Sequence, residues 1–232
     1  AQPDLPERAT LAGYGAYCRR DFGQPSESLL VVRCGDAWGH YHPDQGSFWW
    51  WSHCRLLCAD ADLGEGELKF RHDGHNVVGY IDREPMQYLW RHPYTVEQLA
   101  HLADGTDRIE CRVPCYAWYI GEQKAEPIPP DKRPVVVRRF DWLADGVLRI
   151  VDLSAGAPGG RITWNLHVPA ADARYDSSEQ CIIFQLDDRE QLKVKLPFAP
   201  ESVQLRKLKV TWHLRCVYEE RELVHELHHV SV

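Results

Sequence analysis

Apolar residues recur at every second position through most of the second half of the chain. Leu208, Val210, Trp212, Leu214, Cys216 and Tyr218 alternate with Lys207, Lys209, Thr211, His213 and Arg215, which predicts a strand with the second set facing water. Val203 and Leu205 fall on the opposite parity, which predicts a β-bulge near Arg206. The same period runs through Ile162, Trp164, Leu166 and Val168, through Ile182, Phe184 and Leu186, and through Leu192, Val194, Leu196 and Phe198. Val135 to Trp142 and Val147 to Leu153 flank Asp145-Gly146, a hairpin signature. Strands at this spacing predict an antiparallel β-sandwich over 135–232.

The first half alternates less cleanly. Ser28 to Cys34 reads as a strand rich in β-branched residues, Ala37 to Tyr41 as a second and Ser47 to Leu57 as a third. Glu67 to Arg71 and Asn76 to Ile81 suggest a hairpin around Asp73-Gly74, with His72 and His75 exposed beside the turn. Residues 95–103 carry the one helix signal: Thr95 and Gln98 fit a capping box, Val96, Leu99 and Leu102 recur at helical spacing, and Asp104-Gly105 ends it. Arg108 to Pro114 and Tyr116 to Ile120 read as further strands. Four prolines within 126–134 are too stiff for a sheet interior and read as a linker. The expectation is a mainly β protein with one short helix near 95–103, divided into 1–125, the linker 126–134, and 135–232.

Phe48-Trp49-Trp50-Trp51 stands out. On a strand Trp49 and Trp51 share one face and Trp50 takes the other, so a one-sided core leaves at least one tryptophan outward. Buried aromatic anchors dominate protein interfaces and also stack on sugars. Trp49, Trp50 and Trp51, with His40, Tyr41 and His42 just before them, are the candidate partner-binding residues.

Eight cysteines, at 18, 34, 54, 58, 111, 115, 181 and 216, are even in number and spread along the chain. In an oxidising compartment they predict disulfide stabilisation, and locality suggests Cys18–Cys34, Cys54–Cys58, Cys111–Cys115 and Cys181–Cys216. Cys54, Cys58, Cys111 and Cys115 could instead hold one zinc. The start Ala1-Gln2-Pro3-Asp4, without methionine, fits a processed secreted chain, which places it in the periplasm or outside the cell. A net charge of −7 argues against a general nucleic-acid binder, and no apolar run approaches the ~20 residues of a membrane span.

Catalytic patterns are sparse. His225-Glu226-Leu227-His228-His229 matches H-E-x-x-H and resembles zinc metalloproteases over five residues; on a helix His225 and His229 would hold zinc and Glu226 would serve as base. No third ligand is prompted, and the segment also reads as a strand paired with 207–218. His40, His42 and His53 with Asp36 or Asp44 form a second metal or acid–base candidate, and Asp60, Asp62 and Glu65 match a calcium loop only in part. No cofactor is expected.

In general character, with oxidised cysteines, β-hairpins, long loops and no coherent active site, the chain resembles periplasmic immunity proteins that bacteria hold against secretion-system toxins, lipase effectors among them. That resemblance implies a non-catalytic binding protein in a tight complex with one secreted toxin enzyme. The alternatives are a zinc-dependent hydrolase using the H-E-L-H-H segment, or a carbohydrate-binding module with Trp49 or Trp51 as a stacking platform.

Overall fold

A computed structural model describes residues 5–35, 44–61, 72–80, 95–114, 135–155, 161–219 and 222–231. In chain order the strands are β1 (Arg8–Leu11), β2 (Gly15–Arg20), β3 (Ser28–Arg33), β4 (Phe48–Ser52), β5 (Arg55–Cys58), β6 (Val78–Tyr80), β7 (Thr95–His101), β8 (Asp107–Pro114) and β9 (Val135–Trp142). They continue with β10 (Leu148–Ala155), β11 (Arg161–Val168), β12 (Asp172–Asp176), β13 (Cys181–Gln185), β14 (Glu190–Lys195), β15 (Ser202–Lys207), β16 (Trp212–Glu219) and β17 (Leu223–Ser231). The protein is mainly β and its strand pairs are antiparallel, as the alternation predicts. Among the described residues no helix is long and apolar enough to cross a membrane.

Three sheets form, in the orders β1-β2-β3-β4-β5, β12-β13-β14-β17-β10-β9-β8-β7 and β15-β16-β11-β6. The eight-stranded sheet packs against both smaller ones. Phe48 of β4 meets Phe140 of β9 with ring centroids 5.3 Å apart, and Trp164 of β11 stacks on His225 of β17 at 3.9 Å. The two smaller sheets meet where the Ala59 amide, just past β5, donates to the His167 carbonyl of β11 at 3.2 Å. One continuous apolar cluster fills the sandwich, from Leu30 and Trp50 through Ile109, Phe140 and Ile150 to Phe184, Leu214 and Leu227. The linker 126–134 lies outside the described residues, and it does not separate the sheets: β8 and β9, on either side of it, pair from Asp107↔Trp142 to Pro114↔Val135.

The expected helix near 95–103 is instead strand β7. Val96 pairs with Cys111 and Leu99 with Ile109, so both face the core although they are three residues apart. A bulge between Val96 and Gln98 absorbs the odd residue, and this three-residue spacing is what imitates a helical period. The strand expected over 207–218 is likewise two strands. β15 and β16 pair as a hairpin, from Ser202↔Val217 to Lys207↔Trp212, so the parity change near Arg206 is a turn at 208–211 rather than a bulge. Val210 is exposed on that turn, while Thr211 and His213, expected in water, are buried.

None of the seven described cysteines is in a disulfide, and the expected pairings do not fit the strands. Cys54 lies in the turn before β5 and Cys58 ends that strand. Four residues of strand span ~13 Å, beyond the ~7 Å that a disulfide bridges. Cys18 pairs across from Leu30, which leaves Cys34 another four residues along. Cys181 lies opposite in parity to the inward Ile182 and Phe184, whereas Cys216 faces the core between Leu214 and Tyr218. Cys115 lies outside the described residues, and with it the Cys111–Cys115 pairing.

Candidate functional site

The tryptophan stretch is strand β4, with Phe48, Trp49, Trp50 and Trp51 opposite Val32, Val31, Leu30 and Leu29. Trp50 is fully buried in the sandwich. Trp49 and Trp51 lie on the outer face, half-buried, in two cross-strand rows: Tyr17–Val31–Trp49 and Arg19–Leu29–Trp51–Leu56. The expected third strand, Ser47 to Leu57, breaks at Ser52. Its turn is a two-residue hairpin loop closed by Ser52↔Arg55, with His53 at φ 51° and Cys54 at φ 59°. Both central residues are left-handed, the type I′ geometry that ordinarily selects Asn-Gly. His40, Tyr41 and His42 lie outside the described residues. The chain resumes at Asp44, whose carboxylate faces Arg33 at 3.5 Å.

A buried polar cluster, which the alternation does not reveal, fills the junction of the two smaller sheets. Asp60 accepts the Ser47 hydroxyl at 2.6 Å and meets His75 Nδ1 at 3.2 Å. Ser47 Oγ in turn accepts the Asn76 amide at 3.1 Å. The Asn76 side chain donates to the carbonyls of Phe48 and Ala59 and accepts the His167 amide at 2.7 Å. His75 is thus buried and paired, not exposed beside a turn. The turn itself is a short 3-10 segment, His72–Gly74, whose Asp73 carbonyl accepts His167 Nε2–H at 2.8 Å.

His167 and His213 are direct cross-strand partners whose rings stack at 4.5 Å. Burial first, then the neighbouring His213, pushes His167 down to about 3, so it is neutral at physiological pH. A neutral imidazole whose Nε2–H is committed to Asp73 can accept at Nδ1 but cannot act as an acid. Asp60 and His75 offer two ligand types, yet among the described residues no three His, Cys, Asp or Glu side chains form a metal-binding group. Of the partial calcium loop only Asp60 is described. The signal for this cluster was present in Thr163, Asn165 and His167 on β11 and His213 on β16, which polarity alone assigns to solvent.

The H-E-L-H-H segment is strand β17, held between β10 and β14, and not a strand paired with 207–218. Strand spacing carries His225 and His229 ~13 Å apart along one face, which rules out the helical zinc pair. His225 is enclosed by Trp164 and by the Tyr218 hydroxyl at 3.1 Å, and burial holds it well below its ordinary pKa. Glu226 faces the other way and pairs with Arg149 at 2.8 Å. His229 lies 3.7 Å from Glu190 and stacks obliquely near His53 at 5.5 Å. His53 therefore lies beside His229, at the opposite end of β4 from Asp44.

Fold and site together define an antiparallel β-sandwich with an outward aromatic row and a buried polar junction. No family model matches the chain, and no curated protein matches it. Solved structures do. The chain is similar to a heparinase III at TM-score 0.74 and 16% identity, over 99% of its own length and 37% of that chain. It is similar to the heparan sulfate lyase HepC of Pedobacter heparinus at TM-score 0.75 and 11% identity, over 100% and 37%. A further heparinase III structure aligns at TM-score 0.67 and 12% identity, over 95% and 36%. The chain thus spans little more than a third of the length of these proteins, and at these identities the likeness is one of fold.

Proposed function

We propose that this chain is the β-sandwich part of a larger protein that engages a polysaccharide of the heparan sulfate class, and that its role there is carbohydrate recognition without catalysis. The observation that carries this reading is the fold likeness to the heparinases along the whole chain. Trp49 and Trp51 supply the stacking platform, with Tyr17 in the same outer row as Trp49. A net charge of −7 opposes indiscriminate capture of polyanions, so binding rests on stacking and is only weakly sensitive to salt.

A glycan array carrying heparan sulfate fragments and neutral oligosaccharides tests this, with Trp49→Ala and Trp51→Ala beside the parent chain. Binding lost in those variants, with folding retained, is the expected result. Absence of glycan binding, together with a tight stoichiometric complex between the chain and a toxin enzyme, would instead favour the immunity reading, which uses the same outward tryptophans.

A further inference from the structure

Packing and buried polar contacts such as those of Arg138 tie the two smaller sheets to the eight-stranded one, and two thiols meet at that boundary. Cys34 ends β3, its amide bonded to the Tyr14 carbonyl at 2.8 Å. Arg33, just before it, exchanges backbone hydrogen bonds with Ser47 and Gly46. Gly46 in turn lies against β8 and β9. A Cβ built on it would stand 3.0 Å from Val113 Cγ2 and 3.5 Å from Arg138 Cδ, and its φ is +78°. Cys111 lies two residues before Val113 and pairs with Arg138. This chain of contacts brings Cys34 of the five-stranded layer beside Cys111 of the eight-stranded one, where the Cys34 thiol acts directly on that of Cys111. Cys111 also directs its S–H toward the Arg138 carbonyl at 3.5 Å. Both side chains belong to the buried core cluster.

We propose that Cys34 and Cys111 are the covalent cross-link of this sandwich, forming a disulfide between its layers when the chain folds under oxidising conditions. This stands independently of the carbohydrate reading. The reaction is thiol–disulfide exchange with a small disulfide such as oxidised glutathione. One cysteine thiolate attacks it and releases one reduced thiol, and the second cysteine displaces the other. Two cysteine thiols and one oxidant disulfide give one protein disulfide and two reduced thiols. The contact with Cys34, then burial, hold the Cys111 thiol well above its ordinary pKa. The Cys111 thiolate is therefore scarce in the closed fold, and burial of both side chains shuts out a small disulfide, so exchange takes place while the layers are still open. Once made, the bond is shielded from reductant by the same burial. The link replaces the expected partners of both cysteines with a long-range one, across 76 intervening residues that include β4, β5, β6 and β7.

The full chain is refolded in a mixture of reduced and oxidised glutathione, alkylated without reduction, digested and mapped by mass spectrometry. The expected result is a Cys34 peptide joined to a Cys111 peptide, a link that dithiothreitol removes only after urea is added. Oxidation is also expected to raise the urea midpoint of the parent chain and to leave that of Cys34→Ala unchanged. Alkyl label on both cysteines in the oxidised sample overturns the proposal, as does either cysteine bridged elsewhere. The mapping uses only the parent chain, so a variant that fails to fold does not decide the matter.

Discussion

Replacing Arg138 by methionine tests the polar heart of the sandwich. Arg138 and Asp152 are each 1% exposed and meet at 3.0 Å on adjacent strands β9 and β10. The guanidinium also donates to the carbonyls of Gly46 at 2.9 Å and Asn76 at 2.6 Å, so one side chain on the large sheet holds both smaller ones. Asp152 additionally accepts the Trp164 indole N–H at 3.1 Å. Burial lifts its carboxyl to about 6, against the pull of Arg138 and Trp164. In Arg138→Met two buried carbonyls lose their donor, at ~1–3 kcal/mol each. The carboxylate loses its counter-ion, but protonation caps that loss. At pH 7 a carboxyl with an ordinary value of ~3.9 takes up a proton for ~4 kcal/mol, and a shift to about 6 already commits ~3 kcal/mol of that. The additional cost is then ~1 kcal/mol and the total ~3–7 kcal/mol, a range that spans the ~3–5 kcal/mol typical of a broken buried pair.

For a domain of this length that lowers Tm by roughly 10–20 °C. Urea unfolding followed by tryptophan fluorescence reads it. A group whose folded pKa is raised contributes stability that is present at low pH and lost as pH rises through the folded value. The Asp152 share of the penalty therefore shrinks by ~1 kcal/mol between pH 7 and pH 5, while the carbonyl share stays. Adding Asp152→Asn to Arg138→Met removes the stranded carboxyl and recovers several kcal/mol at pH 7, on the order of the protonation cost. A penalty under ~0.5 kcal/mol, or one that grows on acidification, refutes the reasoning.

His167 carries the opposite pH dependence. Its pKa is depressed to about 3, so its contribution is present above ~6.5 and lost as pH falls, by about 2 kcal/mol between pH 7 and pH 5; comparing urea midpoints of the parent and His167→Gln over that range should show a flatter profile in the variant. At the β4–β5 turn, His53→Asn with Cys54→Gly relieves two left-handed non-glycine residues and is expected to stabilise by ~1 kcal/mol, less the entropy that glycine returns to the unfolded chain. A fall in the thermal midpoint would show that the His53 contact with His229 outweighs the backbone strain.

Alternation by itself determined the class of fold, because one buried face per strand writes a period of two directly into the residues. That is why β11, β13, β14 and the Asp145-Gly146 hairpin are legible in the chain. It also determined that Trp50 and the Trp49/Trp51 pair must part company. Which of them is inside depended on the layer that β4 faces, and only the packing of Phe48 on Phe140 decided it. Bulges and tight turns reset the period without leaving a mark on composition. Val96 and Leu99 therefore read as a helix, and 203–218 read as one strand. Polarity was a poor guide to burial wherever a polar side chain found a complementary partner from a distant part of the sequence. Asn76 meets His167 across 91 residues and Arg138 meets Gly46 across 92, and no local pattern encodes either contact. The cysteines show the same division: their number suggested cross-linking, but strand spacing and face, fixed only by the tertiary structure, excluded the described local pairings and brought Cys34 to Cys111.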